Sequence, residues 1–273
     1  MTQSNHGIRS TVDPDTHTAV DARVQEMARG APASATIAAM LALGSLPIAL
    51  GALAKDVYGQ APSDVVDVLQ FALLLEYLES DFYQRGVNAT GLIPASDRTV
   101  FSTIGAHEAT HVVALQALIT RKGAAPRSKP TFDYTAKGAI PGFAFLPTQY
   151  ATFTALAQAF EDTGVRAYKG QVGRLITDKA VLTTALSIHS VEARHASEVR
   201  RLRGKKGWIA SNSRDDLPAF TQGIYDGEEN TTHAGINVTT VAANFGGAAG
   251  ATEAFDEPLT MAQVMTIVSP FLV

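Results

Sequence analysis

The chain contains no cysteine among its 273 residues, and this absence excludes several kinds of chemistry at once. Disulfides, cysteine-ligated zinc sites and thiol nucleophiles are all ruled out, whereas the redox compartment stays open. Charged residues make up only 18% of the chain and hydrophobic residues 46%, which is typical of a folded globular protein. The formal net charge is -4 and no long basic run occurs, so nucleic acid is excluded as an expected partner.

Two Glu-x-x-His motifs stand out against this low-charge background. Glu108 precedes His111 in A-H-E-A-T-H-V, and Glu192 precedes His195 in S-V-E-A-R-H. Residues three apart on a helix lie on one face, so a carboxylate and an imidazole can converge as half of a transition-metal site. With 11 Glu and 7 His in the chain, random placement gives roughly 0.3 such pairs, but two are present.

Each motif also has a companion glutamate upstream. Glu76 lies 32 residues before the first motif, and Glu161 lies 31 residues before the second. A tyrosine follows each companion after seven residues, Tyr83 in the first case and Tyr168 in the second. Seven residues are two helical turns, so each tyrosine shares the helix face of its glutamate. The pattern therefore predicts a duplicated helix hairpin.

Four helices with four glutamates and two histidines meet the requirement of a carboxylate-bridged dinuclear site in a four-helix bundle. The six residues resemble the di-iron ligand set of the ferritin-like superfamily: Glu76, Glu108, His111, Glu161, Glu192 and His195. The stretch from Asp64 to Arg203 resembles the ferritin-like domain of desiccation-related proteins of bacteria and plants. The tail A-T-E-A-F-D-E-P-L-T-M-A-Q-V is similar to the same family.

This resemblance implies a role for each of the six side chains. Glu108 and Glu192 would bridge two metals, the companion glutamates would be terminal ligands, and each histidine would supply one nitrogen. A mixed oxygen and nitrogen set suits iron or manganese better than copper, so two Fe ions or an Fe/Mn pair are expected. Four buried glutamates need counter-charge, and the nearest basic candidates, Arg166 and Arg194, are too few to supply it.

Side chains next to these six leave alternatives open. Glu79 is the rival of Glu76 because it lies three residues along the same helix, although only Glu76 has the tyrosine at the seventh position. Tyr83 and Tyr168 are candidate catalytic residues that either hydrogen-bond the ligands or pass electrons, and a structural role is as well supported.

Three further side chains near the motifs are expected to have ordinary roles. His189 is one turn before Glu192 on the same helix face, where it can donate a hydrogen bond to a ligand or be an extra ligand, but capping or packing is the preferred interpretation. His107 is expected to point away from the site, and Glu198 to face solvent.

The predicted fold is mainly all-α, with a ferritin-like four-helix bundle over residues 61–204. The four helices are predicted at 63–86, 96–121, 148–173 and 178–204. A long crossover joins helices 2 and 3, since residues 123–147 are too many for a hairpin turn. An irregular C-terminal extension over 205–273 contains a possible strand at N-V-T-T-V-A and a terminal helix at 260–272. We expect this extension to be a cover or assembly element.

The N-terminal region has more than one interpretation. Residues 1–30 are expected to be a flexible tail, and the apolar segment 31–60 has no charge between Ala31 and Ala54. This segment is equally consistent with an export signal and with a retained helix that packs on the bundle or a neighbouring subunit. A membrane span is a weaker interpretation because alanine, glycine and serine are only weakly apolar. Export would place the protein in the periplasm or outside the cell, and retention in the cytoplasm.

The expected function is a dinuclear metal protein that reacts with oxygen or peroxide, in oxidase or ferroxidase-type chemistry, in a stress-related context. Oxidation of Fe(II), removal of peroxide and oxidation of a small organic molecule all remain open. The alternative is a structural protein that uses the bundle as a scaffold, with a vestigial metal site. Expected partners are metal ions, O2 or peroxide and further copies of the chain in a homo-oligomer, with membrane contact only through residues 31–54.

Overall fold

The computed structural model describes residues 65–241 and 243–273. The expected tail (1–30), the apolar segment (31–60) and the first two residues of the helix predicted at 63–86 lie outside the described residues. Residues 65–231, 237–241 and 243–273 belong to one compact unit. Within the described part of the chain, no helix combines the length and apolar character needed to cross a membrane.

Four long helices form the core of this unit. They are α1 (Val65–Asn88), α2 (Arg98–Arg121), α3 (Tyr150–Gln171) and α4 (Lys179–Leu202). α1 packs along α2 and α3 packs along α4, with further contacts between α1 and α3 and between α2 and α4. The short turn at 89–97 makes α1 and α2 antiparallel, whereas residues 122–146 form a long connection without helix. The prediction of an all-α four-helix bundle with a crossover after the second helix is confirmed.

The helix ends follow local sequence signals. The side chain of Asp178 accepts a hydrogen bond from the Val181 backbone N–H at 3.2 Å and so caps α4. Gly123 has φ +78° just beyond α2, a left-handed conformation that glycine adopts without steric cost. α3 is shorter than predicted because 3-10 turns flank it at Pro147–Gln149 and Val172–Leu175.

The crossover is held on the bundle by aromatic side chains. Phe132, Tyr134 and Phe143 are buried, and Phe145 is partly buried against the core. The Tyr134 ring lies 5.4 Å from that of Phe82 on α1. This packing explains why α1 is buried around most of its circumference.

The C-terminal extension is built from short elements. They are a 3-10 helix at Ala219–Ile224, β1 (Thr232–His233), β2 (Ile236–Asn237), α5 (Val238–Val241), a 3-10 turn at Ala243–Phe245, α6 (Gly247–Glu253), α7 (Met261–Val268) and a final 3-10 turn at Ser269–Phe271. The strand expected at N-V-T-T-V-A is wrong, because among its described residues, 237–241, only Asn237 is in a strand and α5 follows it. The Asn237 side chain accepts from the Thr239 backbone N–H at 3.0 Å, which favours a helix start.

The extension is fixed to α3 through Arg166. Its guanidinium is 2.7 Å from a carboxylate oxygen of Glu228 and donates to the carbonyl oxygens of Asp226 (3.0 Å) and Glu257 (2.7 Å). The backbone N–H of Leu259 in turn donates to the Arg166 carbonyl oxygen at 3.1 Å. A buried arginine with this many partners holds the chain before α7 firmly against α3.

The contact between α3 and the extension predicts the effect of a single methyl group. A Cβ at Gly170 would overlap the Leu259 carbonyl oxygen, and backbone on both sides cannot easily move. Alanine normally stabilises a helix interior by about 1 kcal/mol relative to glycine. Gly170→Ala is instead expected to lower the free energy of unfolding by about 1–3 kcal/mol, measured by urea denaturation.

Gly223→Ala is the matched control for this prediction. A Cβ at this position would meet only Ile267 Cγ1 at 3.9 Å, so stability should stay within about 0.5 kcal/mol. A Gly170→Ala protein more stable than the wild type would contradict the close backbone packing.

Candidate metal centre

The bundle brings all six predicted side chains together in its interior. One group contains Glu76, Glu108, His111 and Glu192, and a second contains Glu108, Glu161, Glu192 and His195. Every residue of a group offers one oxygen or nitrogen atom, and these atoms lie within 4.8 Å of one another. Each of the four long helices contributes at least one of these side chains, all of them buried. Glu108 and Glu192 belong to both groups and therefore lie between the two.

His111 faces three carboxylates in the first group. Its Nδ1 atom lies 3.2 Å from Glu76 Oε2, 3.1 Å from Glu108 Oε2 and 3.2 Å from Glu192 Oε1. One nitrogen cannot direct a single proton to three oxygens at once. The four atoms are therefore arranged around a common point.

His195 presents the same ring nitrogen to the second group. Its Nδ1 atom lies 2.8 Å from Glu108 Oε1 and 3.4 Å from Glu161 Oε2. Neither His195 Nδ1 nor Glu108 Oε1 has a partner of acceptable hydrogen-bond geometry despite the short distance. These two atoms also converge on a shared point, and the two groups repeat each other as the sequence duplication predicted.

The two tyrosines hydrogen-bond glutamates of the opposite hairpin. The Tyr83 hydroxyl donates to Glu161 Oε1 at 2.5 Å, and the Tyr168 hydroxyl donates to Glu76 Oε1. The sequence predicts only that each tyrosine shares a helix face with its own upstream glutamate. In the structure, each tyrosine instead hydrogen-bonds the glutamate of the other hairpin. Each bond fixes one carboxylate oxygen and leaves the second oxygen directed at the group.

The electrostatics of the cluster show how strongly it favours a cation. Burial, together with the charge of Glu108, raises the pKa of Glu76 to about 8, and burial raises the pKa of Glu192 well above its usual range. Burial also opposes a charged His111, but the facing carboxylates raise its pKa to about 12. In the metal-free protein, protons on Glu76, Glu192 and His111 thus offset the negative charge of the four clustered carboxylates.

Several oxygens of the cluster remain without a hydrogen-bond donor. They are both carboxylate oxygens of Glu192, Oε1 of Glu108 and Oε2 of Glu161. Arg166 cannot pair with them because it binds Glu228, and Arg194 is exposed. Buried carboxylates without a partner are unfavourable, and a divalent cation ligated by oxygen and imidazole would satisfy them. The residues present therefore fit a metal.

Glu79 is a further buried carboxyl group beside the cluster. It is in neither ligand group, and burial and the charge of Glu192 raise its pKa well above its usual range. A Cβ at Gly164 would lie 3.1 Å from Glu192 Oε2 and 3.4 Å from Glu79 Oε1. The glycine on α3 thus leaves the space that these two carboxyl groups occupy, and Glu76, not Glu79, is the α1 residue next to a histidine.

The expectation that His107 points away from the site is wrong. Its Nδ1 atom lies 2.9 Å from Nε2 of His195, and the two rings are nearly parallel. The two histidines are 88 residues apart on different hairpins, so no local spacing could reveal the contact. His189 belongs to neither group, and Glu198 is exposed as expected.

An apolar pocket lies beside the cluster. All four long helices line it, and Leu75, Leu115, Ala167 and Ala185 are among its lining residues. Tyr168 also lines this pocket, and its hydroxyl donates to Glu76. The tyrosine therefore separates the apolar space from the carboxylates.

Comparison with known proteins agrees with this arrangement. The profile of one protein family, described as a ferritin-like domain, matches residues 64–205, just over half of the chain. The matched range contains all four long helices and all six clustered side chains. No curated protein sequence matches the chain significantly.

The crossed tyrosine bonds predict a symmetric effect on stability. Tyr83→Phe and Tyr168→Phe each leave a buried glutamate oxygen without its donor. Each change is expected to lower the free energy of unfolding of the metal-free protein by about 1–3 kcal/mol in urea denaturation.

Tyr77→Phe is the control. The Tyr77 hydroxyl donates to the Arg127 carbonyl oxygen and accepts from Gln116 Nε2, both in part-buried positions where water can replace the lost bonds. Its effect should be the smallest of the three. Unchanged stability in both site variants would show that the two tyrosine bonds contribute little.

Proposed function

Because the chain belongs to the ferritin-like domain family, we propose that it is a dinuclear iron or iron/manganese protein that reacts with O2 or peroxide. The convergence of four glutamates and two histidines on two overlapping groups carries this proposal. The oxygens of Glu192 make no hydrogen bond of acceptable geometry, and they support the proposal further, since a metal would supply their missing partner.

The ligand roles follow from which side chains the two groups share. Glu108 and Glu192 belong to both groups and would bridge the metals. Glu76 with His111 would complete one metal position, and Glu161 with His195 the other. An oxygen-rich set with one nitrogen for each metal suits iron or manganese, and the absence of thiolates disfavours structural zinc.

When bound, the metals would supply Lewis acidity and electrons for reaction with O2 or peroxide. The protein would contribute position and exclusion of water. Tyr83 and Tyr168 orient the two terminal glutamates through their hydroxyl groups. The protons that His111 and Glu76 hold in the metal-free protein would leave as the ligands bind. The apolar pocket behind Tyr168 has room for about one water-sized molecule, so it would admit only a reactant as small as O2.

Several finer proposals rest on the sequence. The stretch Asp64–Arg203 and the tail A-T-E-A-F-D-E-P-L-T-M-A-Q-V support a desiccation-related, stress-associated protein. Export to the periplasm or cell exterior, retention in the cytoplasm and homo-oligomer formation remain predictions. The same holds for the choice among Fe(II), peroxide and an organic molecule as substrate.

A structural or assembly role is the second candidate function. Phe245 is 81% exposed and Trp208 47% exposed, both in the C-terminal extension. Each of these side chains would bury a large apolar area if it were covered by another surface. In this case the bundle would be a scaffold and its cluster a vestige of a metal site.

Metal analysis separates these two functions. The purified native protein is expected to contain about two Fe or Mn ions per chain by elemental analysis. Glu108→Ala/Glu192→Ala removes both bridging carboxylates and should abolish binding of both ions.

Glu198→Ala is the matched control, because this glutamate is exposed on the same helix as Glu192 and should leave the metal content unchanged. Retained metal would next be tested for oxygen consumption after anaerobic loading with Fe(II). Folded protein that takes up no metal on reconstitution would reject the dinuclear function and favour the assembly role.

A further inference from the structure

The two histidines of the cluster differ in what their second nitrogen contacts. Both direct Nδ1 at the glutamates. Nε2 of His195 lies 2.9 Å from Nδ1 of His107, whereas no residue of 65–241 or 243–273 is hydrogen-bonded to Nε2 of His111. The two otherwise similar halves of the cluster are therefore unequal at this point.

The two copies of the sequence repeat also differ at the residue that makes this contact. The first motif reads A-H-E-A-T-H and the second reads S-V-E-A-R-H. His107 precedes Glu108, and Val191 holds the equivalent position before Glu192. Since valine has no hydrogen-bonding side chain, the second motif cannot give His111 the partner that the first motif gives His195.

The contact sets the tautomer that metal binding requires. To bind a metal through Nδ1, His195 must carry its proton on Nε2. That N–H can donate to Nδ1 of His107, which favours this tautomer and fixes the ring orientation. Hydrogen bonds of this kind to ligand histidines typically change metal affinity by about 10–100-fold.

We propose that His107 is a positioning residue for His195, and that it makes the two metal positions unequal. The position formed with Glu161 and His195 then binds its ion more tightly than the position formed with Glu76 and His111. This inference rests on the proposed dinuclear site, since a chain that binds no metal has no positions to distinguish.

Ring packing and hydrogen bonding can be separated at this residue. The His107 and His195 rings lie 5.2 Å apart at an angle of 13°, so they also contact face to face. His107→Phe keeps an aromatic ring and removes the acceptor. His107→Asn removes the ring and retains an amide oxygen near the position of Nδ1. Val191→Ala tests the equivalent position on the other hairpin.

The first measurement is titration of the full-length, metal-free protein with Co2+. Binding is monitored by calorimetry and by visible absorption. The wild type is expected to bind two ions in two steps of different affinity. His107→Phe should weaken the tighter step by about 10–100-fold and leave the other unchanged. His107→Asn should restore that step to within a few-fold of the wild type, and Val191→Ala should alter neither step.

A second measurement needs no metal. In protein with 15N-labelled histidine, the His195 Nε2 proton should give a slowly exchanging NMR signal that is lost in His107→Phe and retained in His107→Asn. Absence of this signal from the wild type would overturn the inference.

The titration distinguishes the loss of the whole metal site from the loss of the role of His107 alone. Wild-type protein that binds no Co2+ would reject the metal site as well. Two ions bound identically by the wild type and His107→Phe, or both steps weakened equally, would reject only the role of His107.

Discussion

Four glutamates buried in the interior of a helix bundle are the constraint on which the rest of this structure depends. Carboxylates removed from water need positive charge or hydrogen-bond donors, and here two histidines and two tyrosines supply only part of what is needed. Each of the four long helices contributes a side chain to the cluster. Packing the four helices together therefore necessarily buries these carboxylates. A divalent metal pair would convert this unfavourable cluster into a strong cross-link among all four helices.

Arg166 shows that a buried positive charge on α3 serves the extension and not the cluster. It lies five residues after Glu161, about 140° around the helix from that glutamate, and is buried. Its guanidinium is bound by Glu228 and by the backbone oxygens of Asp226 and Glu257 in the extension. The contact that holds the extension on the bundle thus uses this buried arginine, and the candidate ligands are left without it.

The sequence predicts those parts of the site that depend on spacing within one helix. Glu108 with His111, and Glu76 with Tyr83, lie one and two helical turns apart, and the duplication relates the two hairpins. Contacts between hairpins cannot be read from such spacing. The bond from Tyr83 to Glu161 joins residues 78 apart, and its existence depends on how α1 packs against α3. The expected strand failed for a local reason, because the Asn237 side chain favours a helix start.

The duplicated halves are most informative where they differ. Glu79 on α1 and Gly164 on α3 hold equivalent positions three residues after Glu76 and Glu161, and the carboxyl group of one lies against the space left by the other. An exact repeat would have a glutamate at position 164 as well as at Glu79. The side chain at position 164 would then enter the space that the carboxyl groups of Glu79 and Glu192 occupy. His107 and its valine counterpart differ in the same way on the histidine side. Because both differences fall on groups that contact the cluster, the two halves of the cluster are unequal, and we do not expect them to behave alike.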